Sequence, residues 1–251
     1  MIRTIDQFKL EKAKSENIEI KIGDYLNQAF SIYGKNWQQF SLFALVSGLI
    51  YVVSMITIIG PYLVIFPLQM GYGHVVEKIE KGESFEFNDF FIGFQKWTKF
   101  IPFLLLIIGI SLAIMVPYFF ILGGFGMFMD SSEVVGPIFG LSMVAIFPVF
   151  LIVGLILAVV LYLPPYFIFH GNMEALESVK TSIAIAKKNF WYLLLFVILF
   201  SILSQVGAYV CIIGILASMP IAYIMSYLMI KDILLEEGNN EIDTIGQSQE
   251  L

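Results

Sequence analysis

The chain of 251 residues is 59% hydrophobic and only 14% charged, whereas a soluble domain carries about 25% charged residues. Such a balance cannot clothe a water-exposed surface, so a bilayer is the expected solvent for most of the chain, and a net charge of −6 implies no nucleic-acid partner. The single cysteine, Cys211, excludes an intrachain disulfide and a thiol metal cluster, and reads as a small apolar packing residue.

The first 39 residues hold six Lys or Arg and no apolar core ending in a small-residue cleavage site, so no removable signal peptide is expected. Residues 1–17 read as a flexible cytoplasmic segment and residues 18–235 as one membrane domain. In residues 236–251, Glu236, Glu237, Glu241, Asp243 and Glu250 stand among small polar residues, the composition of a solvated, disordered acidic tail.

Long apolar stretches run from about Phe40 to Val76, Ile101 to Leu122, Ile138 to Phe169 and Trp191 to Ile230. A straight helix from Phe40 to Val76 would measure roughly 55 Å against a hydrocarbon core of about 30 Å. It must fold back, and Gly60-Pro61 stands midway. The last stretch is divided in the same way by Gly207, Gly214 and Pro220, and the middle pair by Gly123 through Pro137. The expected fold is all-α and polytopic, with six transmembrane helices.

All three tryptophans, Trp37, Trp97 and Trp191, stand at the entrance of an odd-numbered span, each with lysine close by: Lys35, Lys96 and Lys99, Lys187 and Lys188. This is the aromatic and cationic belt of a membrane interface. Upstream of each Trp lies an amphipathic segment at helical spacing: Leu26, Phe30, Tyr33 and Trp37, then Phe87, Phe90, Phe94 and Trp97, then Met173, Leu176, Val179, Ile183 and Ala186. Asn172, or Asn88 with Asp89, suits the N-cap of its segment. The chain thus reads as three repeats of interfacial helix plus helical hairpin, over about 18–80, 84–170 and 172–235. Pro67, Pro164, Pro165 and Pro220 fall in the returning spans and are expected to kink them.

Positive charge settles the expected orientation. Six Lys or Arg precede the first span, four lie between spans two and three, three between four and five, and Lys231 follows the sixth, accounting for all fourteen. The opposite turns hold none, which predicts both termini in the cytoplasm.

Within these spans the sequence places no Asp, Glu, Lys or Arg, although ion pathways and proton relays need them. Ser47, Ser54, Ser111, Ser201, Ser204, Gln69 and Gln205 read as hydrogen-bonding groups between helices. His74 with Glu77, and His170 with Glu174, end returning spans and are the nearest approach to a metal set; imidazoles sitting at a wet interface where an even span ends are the simpler account and the one expected. No nucleophile elbow, phosphate loop or Cys/His cluster is present, so no metal, cofactor or catalytic residue is expected and the chain does not read as an enzyme.

The segments Ala29-Phe30-Ser31-x-Tyr33-Gly34-Lys35-Asn36-Trp37, Pro67-Leu68-x-x-Gly71-Tyr72, Gly82-Glu83-x-Phe85 and Ser182 to Trp191 resemble a family of poorly characterised bacterial six-helix membrane proteins. That family is grouped with the membrane domain associated with glycerophosphodiester phosphodiesterases. The likeness covers about residues 20 to 235. It implies a multipass protein of the bacterial inner membrane and offers no site residues, because the phosphodiesterase chemistry of the named relatives belongs to a separate soluble barrel.

The expected function is a membrane scaffold or accessory module without a catalytic site. It would act through membrane lipids, a membrane-protein partner or a second copy of the chain. The alternative is a permease or export accessory for an apolar or zwitterionic solute, marked by an aqueous cavity at the midplane lined by Gln69, Gln205 or the serines.

Overall fold

The computed structural model describes residues 2–57, 59–128, 135–210 and 212–236, with side-chain surroundings given outside 117–146 and 210–212. Cys211, the turn at Ser131 and the acidic tail beyond Glu236 lie outside the described residues. Helices run in the order α1 (Gln7–Ser15), α2 (Ile22–Lys35), α3 (Trp37–Ser54), α4 (Gly60–Glu80), a 3-10 segment (Phe87–Lys96), α5 (Trp97–Phe128), α6 (Val135–Val160), α7 (Pro164–Gly171), α8 (Ala175–Val210) and α9 (Ile215–Leu234). The fold is all-α and polytopic. Among the described residues, five stretches are long and apolar enough to cross a membrane: Trp37–Ser54, Phe87–Val116, Phe147–Gly171, Ala175–Tyr209 and Ile215–Leu234. Leu49, Val52, Leu105, Phe147, Ile152 and Ile202 on these stretches are exposed, an arrangement tolerable only where hydrocarbon replaces water.

α4 turns back on α3 but is not one of the five. Gln69, His74, Glu77, Lys78 and Glu80 dilute its apolar character, yet its stretch from Pro67 to Glu77 is almost wholly buried. Two glycines permit this. A Cβ on Gly71 would stand 1.8 Å from the carbonyl oxygen of Phe90, and one on Gly93 would stand 2.1 Å from that of Pro67. α4 and the 3-10 segment therefore meet backbone to backbone, and Phe40, Phe43, Tyr72 and Phe90 close into one aromatic cluster beside them.

α9 is the enclosed helix, with every residue from Ile224 to Ile230 buried. α2 lies against it through Tyr25 and Ala29, and the Tyr25 hydroxyl donates to Asp232 Oδ2 at 2.5 Å. Burial, and then this carboxylate partner, hold the Tyr25 phenol above the usual tyrosine range.

The N-terminal segment departs from expectation. Residues 2–17 are docked, not free: Asp6 caps α1 by accepting from Phe8 N at 2.8 Å and Lys9 N at 3.2 Å. Ile5, Leu10 and Ala13 are buried, Asp6 N donates to Leu234 O at 2.9 Å, and Glu236 N donates to Thr4 O at 3.1 Å. The short apolar stripe of α1 packs on α8 and α9 despite the cations around it.

The prolines behave differently from one another. Pro67 and Pro220 lie inside continuous helices, whereas Pro164 and Pro165 start a new one after the break at 161–163. Asn172 is the left-handed C-cap of α7 (φ 50°, ψ 26°) and not an N-cap. The 3-10 segment is capped by Glu86, whose side chain forms a reciprocal box with Asp89.

Candidate functional site

Where the ends of α4, α7 and α9 come together, the N-terminal segment crosses them and closes a charged cluster. Glu77, 1% exposed, accepts at Oε1 from Arg3 N at 2.9 Å and from Lys81 Nζ at 2.6 Å. Glu80 accepts at Oε2 from Arg3 Nη1 at 3.1 Å and at Oε1 from Lys231 Nζ at 2.5 Å. Arg3 Nη1 also reaches the Tyr227 hydroxyl at 3.5 Å, and His170 Nδ1 bonds Arg3 O at 2.9 Å. Charges taken this far out of water persist only when paired, and three cations here share two carboxylates. Arg3 Nε, His74 Nδ1 and Glu77 Oε2 remain buried without a protein partner, places that suit ordered water.

The cluster gathers His74, Glu77 and His170 in one layer. Glu174 is exposed and lies instead along a separate groove with Lys99, Pro102, Leu106 and Asn172. Among the described residues, no group of three or more His, Cys, Asp or Glu has metal-binding geometry. The arrangement fastens the N-terminal segment to three helix ends.

The aromatic residues expected at an interface lie mostly at the surface. Trp37, Trp97 and Trp191 are 55%, 44% and 77% exposed, and Phe30 is 50% exposed, while Phe94 is half-buried against Phe91. Lys35 and Lys188 are exposed. Lys99 Nζ donates to Asn172 Oδ1 at 2.8 Å, an oxygen shared with Lys96 Nζ at 3.1 Å.

Deeper in the bundle, polar side chains satisfy one another. Gln69 Nε2 donates to the Tyr166 hydroxyl at 2.8 Å, and Tyr166 and Tyr162 both bond Ser226 Oγ. Gln205 is exposed on the outer face. A cavity of about 260 Å³ between α3, α4 and α9 is lined by Ser47, Gly48, Tyr51, Ile65, Leu68, Met219 and Tyr223. Ser47 spends its hydroxyl on Ala44 O at 3.0 Å, so this lining is apolar in effect.

Sequence reasoning singled out neither Arg3 nor Asn189. Asn189 is fully buried where α8 loses helical geometry (φ −117°, ψ 23°). Its Nδ2 donates to Ala13 O at 2.9 Å, Glu16 O at 3.3 Å and Ile185 O at 3.2 Å, and its Oδ1 accepts from Ile18 N at 2.6 Å. An asparagine among lysines before an apolar run was the available signal; its partners are too distant in sequence for periodicity to reveal. Comparison with protein-family models, curated proteins and solved structures yields no match.

Proposed function

We propose that the chain is a six-span module of the bacterial inner membrane, with both termini cytoplasmic, that works without a catalytic site as a scaffold or accessory through lipids or a partner protein. The resemblance to the membrane domain associated with glycerophosphodiester phosphodiesterases agrees with this reading. The observation that carries it is the charged cluster. Arg3 precedes α3, Glu77 and Glu80 end α4, His170 ends α7 and Lys231 lies near the end of α9, yet all are bonded together at one end of the bundle. An out-and-back pair of helices separates each of these from the next, which supports six crossings with α4 as the second. In sequence, all fourteen cations fall on this side of the six proposed crossings, which the positive-inside rule assigns to the cytoplasm.

The scaffold reading draws on where the polar groups are spent. Glu77 and Glu80 are engaged by Arg3, Lys81 and Lys231, Gln69 is held by Tyr166, and the cavity between α3, α4 and α9 is apolar in effect, so among the described residues these polar groups serve packing. What remains outward is the belt of Trp37, Trp97, Trp191 and Phe30. Affinity purification in mild detergent, followed by mass spectrometry of bound proteins and lipids, tests this. Retained lipid or a stoichiometric partner is expected; a bare monomer that transports a solute in vesicles would overturn it.

A further inference from the structure

We propose that the cleft between α1 and α8 binds the phosphate-bearing headgroup of an anionic phospholipid. The inference rests on the membrane reading above and names the lipid class it would engage. The cleft has a volume of about 510 Å³ and is lined by Lys14, Lys180, Ile183, Ala184, Lys187 and Lys188. Four lysine side chains thus border one open space. Lys14 has a partner in Glu11 at 2.8 Å, an acid that is largely exposed, whereas Lys180, Lys187 and Lys188 are exposed and form no ion pair among the described residues. Like charges held together repel, and an anion seated among them relieves that repulsion.

The location favours a lipid over a soluble anion. Ile183, itself partly exposed, gives the cleft an apolar wall beside the cations. Trp191 and Tyr192, both exposed, follow at once, so the cleft lies at the depth where headgroups meet the aromatic belt. Lysines near an anionic leaflet each add attraction that falls off within a Debye length.

The cleft is also built by the fold. Asn189 holds the carbonyls of Ala13 and Glu16, and Lys14 stands between them, so the clamp that seats α1 on α8 carries Lys14 into the site. The cations therefore come from two segments far apart in sequence.

Native mass spectrometry of the full chain in neutral detergent tests this, with phosphatidylglycerol and phosphatidylcholine of identical acyl chains added in turn. The wild-type chain should retain the anionic lipid in preference. Lys180→Gln with Lys187→Gln should lower that retention roughly tenfold or more, and Lys180→Arg with Lys187→Arg should preserve it. Lys12→Gln with Lys21→Gln, which removes the same charge from exposed positions outside the cleft, should leave it unchanged. Equal loss in both Gln pairs would reduce the effect to bulk charge and overturn the proposal. Displacement of the lipid by millimolar inorganic phosphate would assign the cleft to a soluble anion and overturn it too. Retention of both lipids without preference would sink this inference alone, whereas retention of no lipid, with no partner, would remove the scaffold reading as well.

Discussion

Arg3 and Glu80 join the start of the chain to the end of α4: Arg3 Nη1 stands 3.1 Å from Glu80 Oε2, while Lys231 holds the other carboxylate oxygen from α9. One acid therefore ties together three segments. Glu80→Ala should strand two largely buried cations and cost about 1–3 kcal/mol, below the 3–5 kcal/mol of a fully buried pair because water still reaches the group. Thermal unfolding in detergent, combined with Arg3→Ala in a double-mutant cycle, checks this. Purely additive effects would show that the two residues do not support one another.

Replacing Asn189 should release the N-terminal segment. Asn189→Ala removes four hydrogen bonds at once, and Asn189→Asp removes the donors to Ala13 O and Glu16 O while keeping the acceptor for Ile18 N. With about 1 kcal/mol for each bond and more for buried groups left unpaired, both should weaken docking by several kcal/mol. Limited proteolysis should then cleave within residues 2–21 far faster than in the wild type. Unchanged cleavage rates would mean that α1 is held by its apolar contacts alone.

The backbone contact of α4 with the 3-10 segment makes Gly71 and Gly93 irreplaceable. Gly71→Ala and Gly93→Ala should each cost at least the 1–3 kcal/mol typical of overpacking, because the added methyl meets backbone and not a movable side chain. Gly109→Ala in α5 meets nothing within 4 Å and should be neutral or slightly stabilising. Melting temperatures of the three purified variants decide; equal values would contradict the close approach.

Phe30 and Trp37 are exposed on the surface of the bundle, where the proposed interfacial belt would seat them in lipid. Phe30→Asp and Trp37→Asp should impair membrane accumulation and lower the melting temperature by forcing charge into an apolar layer, a loss on the order of a few kcal/mol each. Gln28→Asp, at an exposed polar position of α2, should do little. If all three accumulate alike, α2 is bathed in water and not in lipid.

The proposed topology, which draws on the charge distribution and the cluster at the helix ends, has a direct test. With Cys211 replaced, cysteines introduced at Ser84 and Gln247 should label only from the cytoplasm, and one at Ser131 only from outside. Labelling of positions 84 and 131 from the same side would remove the hairpin between them.

Composition and hydropathy were enough to read an all-α membrane fold, because apolar runs of such length have few alternatives in water or lipid. The tryptophans and their lysines likewise marked helix starts at Trp37 and Trp97 and the break just before Trp191, since both residue types favour an interface for reasons local to themselves. The docked N-terminus stayed hidden because α1 offers only Leu10 and Ala13 to the core amid Lys9, Lys12 and Lys14. His74, Glu77 and His170 were legible as unusual, but Glu77 and His170 are tied together through Arg3, whose partners lie on helices far along the chain. The near contact of Gly71 with Phe90 left no trace in periodicity, for it is a matter of backbone distance. Pro67 and Pro220 were read by the same rule as Pro164 and Pro165, yet the first two lie inside continuous helices and only the double proline begins a new helix after a break.

That double proline has a consequence for assembly. Pro164 and Pro165 have no N–H to give, so α6 cannot close the carbonyls of Val160 and Leu161 from within its own chain direction. Val160 O is taken instead by the hydroxyl of Ser182 on α8, at 2.6 Å. Pairing at this junction is therefore completed in part from α8, 22 residues further along the chain. A chain truncated between the two, after residue 171, would hold every residue of α6 and α7 and still lack the hydroxyl that seals their junction.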